Sequence, residues 1–112
     1  MIIDLKGTSL DLTSPIKEYV EKRFQPLSRF VKRYEEKNEM HLFVEIARTT
    51  KHHHKGDVFY AEVTLELPKS VLRAEATNND IRAAIDETKD ILKRELTKYK
   101  EKHAFKKRTI QT

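Results

Sequence analysis

The sequence predicts a two-layer α+β domain of order β-α-β-β-β-α, with two helices packed on one face of a four-stranded sheet. Three observations carry this. Residues 40–47 and 59–67 alternate apolar and polar side chains with period two. Residues 16–34 and 81–99 instead repeat apolar side chains every three or four positions. The connections around the last strand are short, which favours antiparallel neighbours.

The elements follow in order. Residues 2–6 (Ile-Ile-Asp-Leu-Lys) read as a short first strand, and Gly7 to Ser14 as a turn region. Thr13-Ser14-Pro15 is a helix-start signal, with Ser14 able to cap and Pro15 suited to the first helical position. The first helix then carries Ile16, Tyr19, Val20, Phe24, Leu27, Phe30, Val31 and Tyr34 on one stripe. Pro26 interrupts it, and an interior proline removes a hydrogen bond, so a kink or split is expected near residues 22–24. Met40, Leu42, Val44 and Ile46 form the apolar face of the second strand. Phe59, Ala61, Val63, Leu65 and Leu67 form that of the third. Pro68-Lys69-Ser70 turns the chain into a fourth strand over residues 71–76. Thr77-Asn78-Asn79-Asp80 starts the second helix, with capping side chains and early negative charge. Its stripe is Ile81, Ala84, Ile85, Thr88, Leu92, Leu96 and Tyr99, and the helix is expected to end near Lys102. One domain over residues 1–103 follows, with a short, mobile basic tail at 104–112.

Composition removes many functions. The chain has 112 residues, with 2 Gly and no Cys. Without Cys there is no disulfide scaffold, thiol nucleophile or iron–sulfur cluster. Two glycines cannot build a phosphate-cradling loop. Its serines lack a G-x-S-x-G or S-x-x-K context, so no enzyme is expected. No cofactor, small-molecule substrate or membrane span is expected, and the N-terminus shows no signal peptide, which points to the cytoplasm. His52-His53-His54 suggests a metal, but adjacent side chains in an extended loop point in alternating directions, so no metal site is expected. A basic loop touching phosphate, or a passive one, fits better. Asp86 and Asp90 read as solvated charge on an exposed flank.

The charge is uneven. Residues 93–108 hold eight basic and two acidic residues, a local excess of +6 in a chain of net +5, so the remainder sums to −1. A localised basic surface is an electrostatic footprint for phosphate. Arg82, Lys89, Lys93 and Lys100 fall at i, i+7, i+11 and i+18, one strip of the second helix. Arg94, Lys98 and Lys102 occupy another flank, and Lys22, Arg29 and Arg33 share i, i+7, i+11 spacing on the first helix. Helices lying side by side would join these strips into a surface for folded RNA, read through phosphates and shape. The alternative is that long charged side chains merely flank amphipathic helices. The other sheet face, with His41, Phe43, Glu45, Tyr60, Glu62, Thr64 and Glu66, is polar and rather acidic.

Several segments together resemble a known family. They are residues 12–23 (Leu-Thr-Ser-Pro-Ile-Lys-Glu-Tyr-Val-Glu-Lys-Arg), the strand meander, residues 80–86 (Asp-Ile-Arg-Ala-Ala-Ile-Asp) and residues 92–100 (Leu-Lys-Arg-Glu-Leu-Thr-Lys-Tyr-Lys). Their order and spacing are similar to the ribosome hibernation-promoting factor family, which includes the ribosome-associated inhibitor A and the sigma-54 modulation proteins. The resemblance spans about residues 2–103. It implies a fold like that of double-stranded-RNA-binding domains. It also implies a translation-silencing partner for the small ribosomal subunit and its rRNA, bound in the tRNA/mRNA channel, monomeric off the ribosome. By matching position it assigns RNA contact to Arg23, Arg29, Arg94, Lys98 and Lys102; the face reading adds Lys22, Lys89 and Lys93. The chain departs from the family pattern at Pro26 and Ile91, where lysines are common. Ending at Thr112, it reads as a short form. The competing expectation is a general structured-RNA-binding module with no preference for ribosomes.

Overall fold

A computed structural model of the protein describes residues 1–37, 39–49 and 58–111, the last nine of these by backbone alone. The order is β1 (Ile2–Thr8), α1 (Ser14–Phe24), a 3-10 segment (Gln25–Phe30), α2 (Lys32–Glu35), β2 (His41–Arg48), β3 (Phe59–Leu67), β4 (Ser70–Asn78) and α3 (Ile81–Gln111). The sheet order is β1-β2-β3-β4. β1 runs parallel to β2, which requires the helical crossover between them, while β2–β3 and β3–β4 are antiparallel. The α+β class and the four-stranded sheet with helices are those the sequence indicated.

Alternation fixes the register because a one-residue slip would move every apolar side chain to the other face. Leu42, Val44 and Ile46 of β2 pair with Leu65, Val63 and Ala61 of β3, and Val63 and Leu65 pair onward with Ala74 and Leu72 of β4. All of these are buried. Val20, Phe24, Leu27 and Val31 cover them from the first helical layer, and Ala84, Ile85, Leu92 and Leu96 from α3. Thr88, fully buried on the same stripe, donates its hydroxyl to the Ile85 carbonyl at 2.7 Å, so its polarity is satisfied within the helix.

Several boundaries differ from expectation: β1 runs past the expected residues 2–6 to Thr8, and β4 spans Ser70–Asn78 against the expected 71–76, so Thr77 and Asn78 end the strand and do not start the helix. Thr13, not Ser14, caps α1: its Oγ1 accepts from the Ile16 amide at 3.4 Å, and Pro15 then sits in the first turn where no amide is needed. Pro26 ends α1 at Phe24 as anticipated, but the chain continues as a 3-10 segment. That segment advances about 120° per residue against about 100° for an α-helix. The i, i+7, i+11 strip of Lys22, Arg29 and Arg33 therefore does not carry through it. Finally, α3 does not stop near Lys102. It runs to Gln111, because residues 103–111 contain neither Gly nor Pro and offer no stop signal. Tyr99 is its last buried residue among those described.

Candidate nucleic-acid interface

α1 lies beside α3, and two aromatic rings mark where α1 and the 3-10 segment after it approach α3. The Tyr19 hydroxyl donates to both carboxylate oxygens of Asp86 at 2.8 Å. Arg23 Nε reaches Asp86 Oδ1 at 3.1 Å. The Arg23 and Arg82 guanidinium carbons lie 5.0 and 5.3 Å from the Tyr19 ring centroid, within cation–π reach. Burial, with Asp86 beside the hydroxyl, pushes the Tyr19 phenol up from its ordinary value. Asp86 is thus a tie between helices, where its sequence position suggested only solvated charge.

The second ring is Phe30, at the end of the 3-10 segment. Arg29, Lys93 and Lys100 lie 5.6, 5.9 and 5.4 Å from its centroid. Lys93 and Lys100 come from the α3 strip that also holds Arg82 and Lys89; at about 100° per residue these four fall within about 40° of one another.

The eight candidate residues separate on this geometry. Arg29 and Lys93 are brought together at Phe30, and Arg23 joins α3 at Tyr19. Lys89 is half-buried in the same strip, 3.9 Å from Asp90. Lys22 is exposed on α1. Arg94, Lys98 and Lys102 are exposed but turn about 100° to 180° away from Lys93, onto the outer and far flanks of α3. Lys98 lies 3.7 Å from Glu95. Lys100 and Arg82 complete the two ring clusters although the candidate set omits them; their i, i+7, i+11, i+18 spacing was the available signal. Ile91 is half-buried against the core, so a cation there would lie beside apolar packing. The His52–His54 loop lies outside the described residues. Among the described residues, no group of His, Asp and Glu could hold a metal ion, and no helix is long and apolar enough to cross a membrane.

The opposite face of the sheet has the other sign. Tyr60 donates to Glu62 at 2.6 Å and Glu75 at 2.7 Å, Arg73 pairs with Glu62 at 2.8 Å, and Thr8 donates to Glu45 at 2.6 Å. Burial and the two carboxylates hold the Tyr60 phenol far above its ordinary range. His41 Nδ1 meets Asp4 Oδ2 at 2.7 Å and its ring stacks on Phe43. These contacts tie strands together and leave the helical face to the cations.

A family model described as "Sigma 54 modulation protein / S30EA ribosomal protein" matches residues 3–104. The chain is 31% identical over 102 residues to the ribosome hibernation promotion factor of Deinococcus radiodurans, covering 91% of this chain and 50% of that one. It is 28% identical to the ribosome hibernation promoting factor of Escherichia coli K12, covering 91% and 96%. The chain spans about half the length of some of the curated relatives it matches. Among solved structures, the Thermus thermophilus Protein Y N-terminal domain aligns with a TM-score of 0.65 at 31% identity, over 88% of this chain and 99% of that one. A Coxiella burnetii ribosomal subunit interface protein shares the fold, with a TM-score of 0.68 at 22% identity over 90% and 99%. With nearly every described element inside the matched region, the chain belongs to the sigma-54 modulation protein / S30EA ribosomal protein family.

Proposed function

We propose that this protein is a ribosome hibernation factor that binds the small ribosomal subunit through the basic face shared by α1, the 3-10 segment and α3. In this reading the face enters the tRNA/mRNA channel, neutralises rRNA phosphates and releases their counterions. Occupancy then silences translation without any chemical step, and no catalytic role is assigned to any residue. One observation carries the reading. Cations from two separate helical elements converge on Tyr19 and Phe30, on the side away from the acidic sheet face, in a chain whose named relatives are hibernation factors. Lys22, Arg23, Arg29, Lys89 and Lys93 belong to or border this face; Arg94, Lys98 and Lys102 extend it around α3.

The test is co-sedimentation with isolated small subunits. Binding at about 50 mM salt that falls by two or more orders of magnitude near 200 mM is the expected result for six or more phosphate contacts. Absence of binding to idle subunits at the lower salt overturns the proposal. Competition with a short RNA duplex separates a general RNA-binding module, for which duplex and subunit compete equally, from a ribosome-specific one.

A further inference from the structure

We infer that Arg29, Lys93 and Lys100 form a discrete site for one stretch of RNA phosphate backbone, with Phe30 as its positioning residue. The inference rests on the RNA-binding reading above and specifies which part of the face engages. Three cations from two elements surround one ring at 5.4 to 5.9 Å. Among the described residues none of the three is ion-paired with a carboxylate. Arg23, Lys89 and Lys98 each have one within 3.1, 3.9 and 3.7 Å. The Tyr19 cluster is thereby partly neutralised from within by Asp86, whereas the Phe30 cluster is not.

Three unpaired like charges repel at separations near the Debye length of about 10 Å at 0.1 M salt. The negative charge over the ring's faces offsets part of that cost and keeps the cations near one another. Phe30 can do so because it is itself held: half-buried, it packs against the core at the end of the 3-10 segment. An incoming phosphodiester relieves the remaining repulsion. Arg29 offers it a planar fork of donors, and the two lysines offer compact point charges. With cations gathered about the ring, a base has little ring face left to stack on. The site therefore reads backbone and not sequence.

The experiment measures affinity against salt for the full chain, with isolated small subunits and with a short RNA duplex as separate probes. Arg29→Gln, Lys93→Gln and Lys100→Gln are each expected to reduce the steepness of the log–log salt plot by about 0.7 to 0.9. Lys6→Gln, an exposed lysine beside Glu45 on the open sheet face, is expected to reduce it by less than half as much. Phe30→Leu is expected to weaken binding about threefold or more, Phe30→Tyr to retain it, and both are compared at matched thermal midpoints. Should Phe30→Leu not fold, the Lys93→Gln/Lys100→Gln double variant carries the test. Wild-type binding to subunits with an unchanged slope in the three cation variants overturns the site and leaves the hibernation reading standing. Duplex binding that shows the expected slope losses, without subunit binding, supports the site and overturns the ribosomal reading. Slope losses equal to that of Lys6→Gln overturn the site, since they reduce it to general charge.

Discussion

Tyr19 ties the two helices together through one hydroxyl. Its hydrogen bonds to Asp86 lie in a partly buried position, where a neutral-to-charged hydrogen bond contributes more than its exposed equivalent. Tyr19→Phe keeps the ring under Arg23 and Arg82 but removes the donor. It is expected to cost about 0.5 to 1.5 kcal/mol in urea unfolding with no change in the denaturant slope. His41 makes a pH-dependent contribution on the other face. Its hydrogen bond to Asp4 raises its pKa above the ordinary 6.5. A raised folded-state pKa means that this stabilisation is fully present below about pH 6.5 and is lost as pH rises through the folded value. Thermal midpoints of wild type and His41→Gln are therefore expected to converge as pH rises above about 6.5, with wild type ahead at the acidic end. A gap that widens as pH rises contradicts this.

At the scale of elements, the β3–β4 hairpin carries a visible local strain. Leu67 pairs with Ser70, so Pro68 and Lys69 make the turn, and Lys69 takes φ 61°. Pro followed by a left-handed residue is the type II pattern that ordinarily uses Gly second. Lys69→Gly is expected to stabilise the domain by about 0.5 to 1 kcal/mol, the left-handed penalty less the added entropy of an unfolded glycine. Chemical denaturation checks it. The strands were legible in the sequence because each is half-buried: residues 59–67 alternate without a break, and the structure begins and ends β3 at those residues. The helices were legible in their interiors and less so at their ends. Thr13 and Ser14 are both good caps, and only the hydrogen bond to Ile16 distinguishes them. Residues 103–111 are polar enough to read as tail and regular enough to continue a helix. The α3 cation strip was legible because an α-helix keeps its phase. The Lys22–Arg29–Arg33 strip was misread because a 3-10 segment does not. The gathering of cations at Tyr19 and Phe30 is a tertiary pairing between elements about 50 to 80 residues apart in sequence, which no local period encodes.

For the whole molecule, the sheet separates two surfaces of opposite sign. Asp4, Glu45, Glu62, Glu66 and Glu75 lie on the open face, and the helical layer bears the cation clusters. If the helical face carries RNA binding, the acidic face can act on RNA only through long-range field. That field crosses a helix layer about 10 Å thick. The Debye length is about 8 Å at 0.15 M salt and about 30 Å at 0.01 M. Glu66 is exposed, and among the described residues it takes part in no ion pair or hydrogen bond, so its neutralisation leaves the packing undisturbed. Glu66→Gln is accordingly expected to leave RNA affinity within about twofold at 0.15 M, and to strengthen binding measurably at 0.01 M, where the repulsion is unscreened. A substitution at Lys93 acts in the opposite sense and keeps its effect at physiological salt, because contact charges are not removed by screening over a Debye length. Titrating both variants across salt thus distinguishes a contacting face from a distant one. An equal response of the two variants at 0.15 M would mean that RNA reaches around the sheet edge, and the division of the molecule into a binding face and a remote face would fail.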